Sequence, residues 1–408
     1  MMWEKRIKSL RSFLTEVISG ELNIESYDPN ELLAGENYQS KIISAVVKIT
    51  KKKDIDQNDN LYIIVKMVPM NKDYLEISDL YLLFDKEIFM YKTILPAYKR
   101  FEIDSGFNES EVLEFAPLYY GGKLNPNAGG KWHEDDNTFI VLENLRTQGY
   151  YKIDRKTGAD LDHSKLAIQA MAKFHSIGIA MKHKNPEGFE LLKKKCTPAT
   201  PKYPQNWVAV IKYIFQLIAS DPMIQNYYDS CQKLYALELN NQEYVSSEPW
   251  SSIIHGDFTT LNILFHRYSN KTIPDDVKFV DFQNHTFTSP MRELACFLMT
   301  CTTQKVFHNH YDELRDLYYE TLMNRLTLFG VDTELYSKES FITQYRYDVR
   351  SYFSYFITVP KILTLDFDIN NKDVGDLPNL LINSPLKDEY RERLRDVILL
   401  YHNSGWFD

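Results

Sequence analysis

Cysteine is scarce in this chain: four residues in 408, at Cys196, Cys231, Cys296 and Cys301. None forms a C-x-x-C pair, and the density is far too low for a disulfide scaffold, so free thiols in a reducing compartment are expected. No His/Cys cluster has zinc-ligand spacing. Long apolar runs are missing too: no window approaches the ~18 residues that a membrane helix needs. The first residues, "MMWEKRIKSLRSFLTEVISGEL", carry charges throughout and no apolar core, which argues against a signal peptide. A cytoplasmic protein without a membrane span is expected. An excess of basic residues is also absent. Lys and Arg number 47 against 56 Asp and Glu, a net charge of −9. The basic runs "KITKKK" (Lys48 to Lys53) and "KKK" (Lys193 to Lys195) are short and read as solvated loop or helix-end charge, so no nucleic-acid partner is expected. There is no internal repeat, no low-complexity tract, no linker between independent domains and no nucleophile elbow of the hydrolase kind.

What is present is a change of periodicity along the chain. Ile7, Leu10, Leu14, Val17 and Ile18 recur at helical spacing in the first segment. "SKIISAVVKIT" (Ser40 to Thr50) and "LYIIVKMVP" (Leu61 to Pro69) are β-branched and flank the polar turn "DIDQNDN", which predicts a hairpin. "LYLLFDKEIFMYKTILPAY" has helical spacing and is expected to end near Pro96. "APLYYGG" and "NTFIVLENL" read as two further strands. From "DHSKLAIQAMAKFHSIGIAMKH" onward the pattern is mostly helical, apart from short strands in "SSIIHGD", "NILFHR" and "DVKFVDF". The expected architecture is α+β: a small antiparallel-sheet lobe over residues 1–143 and a larger, mainly helical lobe over 144–408.

Four polar elements interrupt apolar runs in a fixed order. Lys66 is a lone charge inside the strand "YIIVKMVP", and Glu87 lies in the helix that follows. Asp257 and Asn262 stand five residues apart in "IIHGDFTTLNILF", and Asp281 ends the apolar strand "VKFVDF". A charge in a strand buried on both faces is costly unless paired, so Lys66 calls for an anion, and Glu87 is the natural one. Phosphoryl transfer from a nucleotide asks for this set. A lysine holds phosphates and a glutamate orients it; an acid and a carboxamide supply oxygens to Mg²⁺; a second acid accepts the proton of the attacking hydroxyl. Lys, Glu, H-x-D-x-x-x-x-N and D-F-x follow one another in the order found in kinases.

"HGDFTTLNILF" followed by "DVKFVDFQ" resembles the ecdysteroid-kinase-like family of insects, part of the wider group of small-molecule kinases with choline kinases and aminoglycoside phosphotransferases. "GENYQSKI", "YIIVKMVP", "FDKEIFMYKTILPAY", "FIVLENL" and "MAKFHS" extend the resemblance from about Gly35 to about Leu298. It implies a bilobal protein-kinase-like fold and ATP-dependent, Mg²⁺-assisted phosphorylation of a small-molecule hydroxyl. Asp257 then resembles the catalytic base, Asn262 and Asp281 the Mg²⁺ ligands, and Lys66 with Glu87 the phosphate grip. "LENL" resembles the hinge that receives adenine, which brings in Glu143 and Leu145. Two departures stand out. No G-x-G-x-x-G precedes Lys66; "AGENYQSK" has one glycine, leaving Asn37 and Ser40 as polar contacts to phosphate. In "SPMREL", Glu293 stands where the family more often has aspartate, a position that reads as a brace of the catalytic loop.

The acceptor implied by the resemblance is an ecdysteroid or similar lipophilic alcohol. A choline-like, aminoglycoside-like or foreign alcohol is the alternative, and a non-catalytic binder of the same fold is a reading of another class. A monomer or weak dimer is expected. His255 and His175 read as buried, hydrogen-bonded histidines rather than acid–base groups. In "FITQYRYDVRSYFSYFITVPKIL", the residues Tyr345, Val349, Tyr352, Phe353 and Phe356 read as one buried helical stripe. The same block could instead line an acceptor pocket, or form an anionic aromatic cage for a quaternary ammonium around Asp348.

Overall fold

The structure is a computed structural model, and it describes residues 2–18, 22–31, 41–51, 58–68, 80–109, 112, 114–124, 138–197, 205–240, 247–269, 271–366 and 377–408. Helix α1 (Met2–Ile18) precedes strands β1 (Leu22–Glu31), β2 (Lys41–Lys51) and β3 (Asn58–Met67). Helix α2 (Leu80–Phe89) continues through one π-helical stretch (Met90–Ile94) into α3 (Leu95–Asp104), and strands β4 (Tyr119–Lys123) and β5 (Phe139–Glu143) follow. The five strands form one antiparallel sheet in the order β1-β2-β3-β5-β4.

Period-two alternation sorts the side chains of β3 between the two faces of the sheet. Ile63, Val65 and Met67 join Ile43, Ala45 and Val47 of β2 under Leu10 and Leu14 of α1. Lys66 therefore points to the opposite face, where Ile140 and Leu142 of β5 meet Leu83 and Phe84 of α2. Val17, expected on the apolar face of α1, is 43% exposed, one turn beyond the last residue that reaches the sheet.

Two differences from the sequence reading have local causes. Strand β1 is not legible in its polar, proline-containing sequence. It is an edge strand paired only with β2, and an edge is where Pro29 can sit without breaking a ladder. The helical run does not stop near Pro96 but continues to Asp104. Pro96 stands in the first turn of α3, directly after the π-helical stretch has already changed the hydrogen-bond ladder, where a missing N–H is tolerated.

Beyond β5 the chain is mainly helical. The long helices α4 (Leu161–Lys184), then α5 (Pro186–Lys193), α6 (Gln205–Ser220) and α7 (Tyr228–Asn240) lead to two small ladders. Strand β6 (Ser252–Ile254) pairs with β9 (Thr286–Thr288), and β7 (Ile263–His266) pairs with β8 (Asp276–Phe279). Helices α8 (Met291–Thr300), α9 (Gln304–Leu328), α10 (Lys338–Ser351), α11 (Phe353–Thr364), α12 (Leu377–Asn383) and α13 (Asp388–Asn403) complete the chain. The core runs continuously from α2 through α4 into α8–α11. Among the described residues, no helix is long and apolar enough to cross a membrane. All four cysteines are free and buried.

Candidate active site

The sheet and the helical part meet at Lys66. Its ammonium donates to Glu87 Oε2 at 2.6 Å and to Asp281 Oδ1 at 2.6 Å, with Gln283 Oε1 at 3.3 Å. One side chain from β3 is thus tied to α2 and to the segment after β8. Lys66 and Glu87 are almost wholly buried, so the pairing answers the desolvation cost that made the lysine conspicuous in sequence. Lys86, its neighbour in sequence, is buried too and donates to the carbonyl of Thr197 at 3.0 Å, so the two residues serve different faces of α2.

Asp257 and Asn262 bracket a tight loop. The Asn262 side-chain amide donates to the Asp257 carbonyl at 2.9 Å and to Asp257 Oδ2 at 3.0 Å, closing the five-residue interval. The β7–β8 ladder pairs Ile263 with Phe279, and Val280 N–H donates to the Asn262 carbonyl at 3.0 Å. Asn262 and Asp281 therefore stand at the same end of one hairpin, which explains how residues so far apart in sequence converge. Asp281 has φ 66° and ψ 53°, and it is the non-glycine residue with positive φ among those described. Such backbone geometry clusters at functional sites. Gly256 has φ 82°, and a Cβ there would lie 2.1 Å from the Asn284 carbonyl oxygen, so only glycine fits between His255 and Asp257.

Behind the loop stands Glu293 of α8. Its carboxylate accepts from Gly256 N–H at 2.7 Å, from His255 N–H at 3.4 Å and from His175 Nε2 at 3.0 Å. His175 Nδ1 lies 2.8 Å from the Tyr318 hydroxyl. His255 Nε2 donates to the Val280 carbonyl at 2.9 Å and its Nδ1 accepts from Asp257 N–H at 3.3 Å, which leaves a neutral ring with both nitrogens engaged. The longer Glu293 side chain reaches the backbone of the loop, and both histidines are hydrogen-bonded within the interior.

Glu143 ends β5, and Leu145 opens a 3-10 turn, where a backbone N–H has no acceptor within the turn itself. The Glu143 side chain is not directed at a ligand: it accepts from Leu118 N–H at 3.1 Å and from the Gln148 amide. Leu145 packs with Tyr150, Leu264 and Val280 in a small apolar cluster next to Asp281. Leu264, Val280 and Gln283 were not singled out from sequence; apolar strand positions and a glutamine after an aspartate carry no signal of their own. Asn37 and Ser40 lie outside the described residues.

The carboxylates of Glu87 and Asp281 contact the Lys66 ammonium, and Asp257 lies within electrostatic range of it. Burial alone would lower the Lys66 pKa, but Asp281 and Glu87 push it up to about 12. One cation does not satisfy both acids, and burial with the nearby Asp281 raises Glu87 to about 7. Burial, then the charge of Asp281, raises Asp257 to about 7. Near-neutral basicity is what a general base for an alcohol needs. The site is short of positive charge. Hard oxygen donors short of a cation fit Mg²⁺, which keeps several waters and needs only one or two protein ligands. That agrees with there being no convergent group of three His, Cys, Asp or Glu side chains among the described residues. With its nitrogen turned to Asp257, Asn262 keeps its amide oxygen for such a role.

The family model described as "Ecdysteroid kinase-like family" matches residues 34–331. The chain belongs to the ecdysteroid kinase-like family. Membership and the observed topology agree on a two-part kinase-like fold built on a small antiparallel sheet. Among solved structures, the chain is similar to the GDP complex of a mutant aminoglycoside 2'-phosphotransferase-IIIa, at 13% identity, TM-score 0.44, and 97% and 98% coverage of the two chains. It is similar to the wild-type GDP complex at 12% identity, TM-score 0.38, and 91% and 96% coverage. An aminoglycoside phosphotransferase from Streptomyces rimosus follows at 11% identity, TM-score 0.29, and 84% and 97% coverage. No curated protein matches the chain.

Proposed function

We propose that this protein is an ATP-dependent kinase that transfers the γ-phosphoryl group to a hydroxyl of a small lipophilic alcohol, an ecdysteroid or a molecule like it. The observation that carries the reading is the Lys66 ammonium held between Glu87 and Asp281 at 2.6 Å each, with Asp257 of the β6–β7 loop within electrostatic range of Asp281. Lys66 receives phosphate oxygens and is kept in place by Glu87. Asp257 accepts a hydrogen bond from the acceptor hydroxyl and takes its proton as the new P–O bond forms. Asp281 and Asn262 are the oxygens that would hold Mg²⁺, which when bound neutralises phosphate charge. The apolar cluster of Leu145 fits a flat base, with backbone groups at Glu143 and Leu145 facing its edge; Asn37 and Ser40 are proposed to meet the phosphates. We further propose that the lobes divide at residues 1–143 and 144–408, and that the protein acts in the cytoplasm as a monomer or weak dimer.

The cationic alternative loses its main support. Asp348, the expected anion of an ammonium cage, is buried and accepts from the Ser289 hydroxyl and from Gln344 Nε2 at 3.2 Å. Incubation of the purified protein with Mg-ATP and a panel of neutral and cationic alcohols, read by mass spectrometry, tests the proposal. A product heavier by one phosphoryl group is expected from a neutral lipophilic alcohol. Absence of product from every alcohol, with no Mg-ATP binding by calorimetry, overturns it.

A further inference from the structure

We infer that the cavity between the turn at 154–158, the α8–α9 junction, α11 and α13 is a binding site for an uncharged, polyhydroxylated small molecule. The inference does not rest on the kinase reading, and none of the residues it uses belongs to the Lys66 junction.

The cavity has a volume of about 370 Å³, within the range of roughly 300–1,000 Å³ that holds small molecules. Its walls are tied to one another. Ala159 N–H donates to the Cys301 carbonyl at 2.7 Å, and Thr303 N–H donates to the Ala159 carbonyl at 2.9 Å, which fixes the turn against the α8–α9 junction. Gly158 has φ 85°, and a Cβ there would lie 2.7 Å from the Cys301 carbonyl oxygen, so this close approach needs glycine. Arg155 of the turn donates to the carbonyls of Ile362 at 3.2 Å and Leu363 at 2.6 Å, at the end of α11. Arg393 of α13 donates to the Thr302 carbonyl. The four elements form one frame, and the cavity inside it is preformed.

The lining is polar in a particular way. Thr300, Thr302 and Thr364 line the cavity and are buried. Each hydroxyl is spent as a donor, to the carbonyls of Cys296 at 2.7 Å, Leu298 at 2.9 Å and Pro360 at 2.9 Å. What such a hydroxyl keeps is the capacity to accept. Two residues of α13 add a donor and a further acceptor. Arg393 Nη1 and Asp396 Oδ2 are buried, and neither has a hydrogen-bond partner. The other parts of both side chains are held in place. The Arg393 guanidinium lies over the Phe307 ring, its Cζ 4.8 Å from the centroid, and Asp396 Oδ1 lies 2.8 Å from His308 Nε2. Buried polar groups are nearly always paired, and leaving one unpaired is costly. Two such groups, three residues apart on one helix and at one cavity, call for a ligand.

The surroundings decide its charge. An anion drawn to Arg393 would meet Asp396 and the exposed Glu389 and Glu392 at the rim. A cation drawn to Asp396 would meet Arg393, with Arg155 and Lys156 also at the cavity. A hydroxyl both donates and accepts, so neighbouring hydroxyls on one neutral molecule satisfy Arg393, Asp396 and the threonines together. Pro360 and Leu363, both buried, offer an apolar patch to its carbon skeleton.

The test compares wild type with Arg393→Met, Thr157→Trp and Lys66→Met, reading binding by calorimetry and folding by the thermal midpoint. The probes are ecdysone and methyl glucoside as uncharged polyols, kanamycin as a cationic polyol and inorganic phosphate as an anion. At least one uncharged polyol is expected to bind the wild type, more tightly than kanamycin or phosphate. Arg393→Met should weaken that binding by about tenfold, the size of one hydrogen bond to a charged group. Thr157 is exposed at the rim, so Thr157→Trp narrows the entrance without disturbing the core, and it should lower affinity at an unchanged thermal midpoint. Lys66→Met should bind the polyol as wild type does. Equal affinity in wild type, Arg393→Met and Thr157→Trp overturns the inference. So does binding of kanamycin or phosphate alone, binding of none of the four probes, or loss of polyol binding in Lys66→Met, which would move the ligand to the junction.

Discussion

The junction around Lys66 and the aromatic block from Phe341 to Leu363 are both buried, and they are built on opposite terms. At the junction, one ammonium is shared between two carboxylates 2.6 Å away, and a third carboxylate stands close by with its pKa raised to about 7. In the block, rings pack on rings: Phe341 lies 5.7 Å from Trp250, 5.1 Å from Tyr319 and 6.1 Å from Tyr345. The block contributes stability in proportion to the surface it hides. The junction does not: a buried ion cluster is weak evidence of stability, and a group kept there at such desolvation cost is explained by what it binds. The comparison separates residues that hold the fold from residues placed for chemistry.

Substitutions can break this separation. Lys66→Met leaves Glu87 and Asp281 without their shared cation and removes the proposed phosphate grip. Phosphoryl transfer should fall below detection while far-UV circular dichroism stays near wild type, because Glu87 can take up a proton in place of its partner. Transfer at even a tenth of the wild-type rate would put Lys66 outside the site. Phe341→Ala probes the other region. Loss of a fully buried phenylalanine costs about 3–5 kcal/mol, so the thermal midpoint should drop while the rate per folded molecule is kept. An unchanged midpoint with impaired transfer would mean that the block belongs to the site after all.

The smallest effect concerns Asp348, which lies in the block but is ionisable. Burial raises its pKa from the ordinary 3.8 to about 6, against the opposing hydrogen bonds from Ser289 and Gln344. The folded state therefore holds a proton that the unfolded state releases. The stability contribution of this group is full below pH 3.8 and is lost as pH rises through about 6. Asp348→Asn should flatten the dependence of the thermal midpoint between about pH 4 and 7, by roughly the few degrees that a 1 kcal/mol change produces in a chain of this size. A slope unchanged by the substitution would show that Asp348 is not the group titrating.

Much of the junction was legible in sequence, for a physical reason. Charges inside apolar runs, such as Lys66 and Asp281, are too costly to be incidental, and the fixed interval from Asp257 to Asn262 is one turn of loop. Glu293 was legible as a brace only through the family resemblance, since it lies far along the chain from the loop it supports. The rest depends on contacts that no short window contains. Strand β1 exists because β2 offers an edge, and its own residues do not announce it. The expected single stripe in the aromatic block proved to be two helices, since α10 ends at Ser351 and α11 starts at Phe353. Tyr345, Val349, Phe353 and Phe356 are buried as expected. Tyr355, 37% exposed, could not be told from them, because the exposure of one tyrosine among many is set by neighbours distant in sequence. The salt bridge from Arg325 to Glu102 joins α9 to α3 and was equally out of reach.

The central claim is that Asp257 serves proton transfer and not nucleotide binding. The most direct measurement sets Asp257→Asn beside wild type, reading Mg-ATP affinity by calorimetry and phosphoryl transfer to a neutral lipophilic alcohol under saturating conditions. Asparagine keeps the shape of the loop and the contact with Asn262, so Mg-ATP affinity should be retained while transfer falls by about 10²–10⁴-fold. Transfer at the wild-type rate by the variant, with nucleotide bound, would contradict the account.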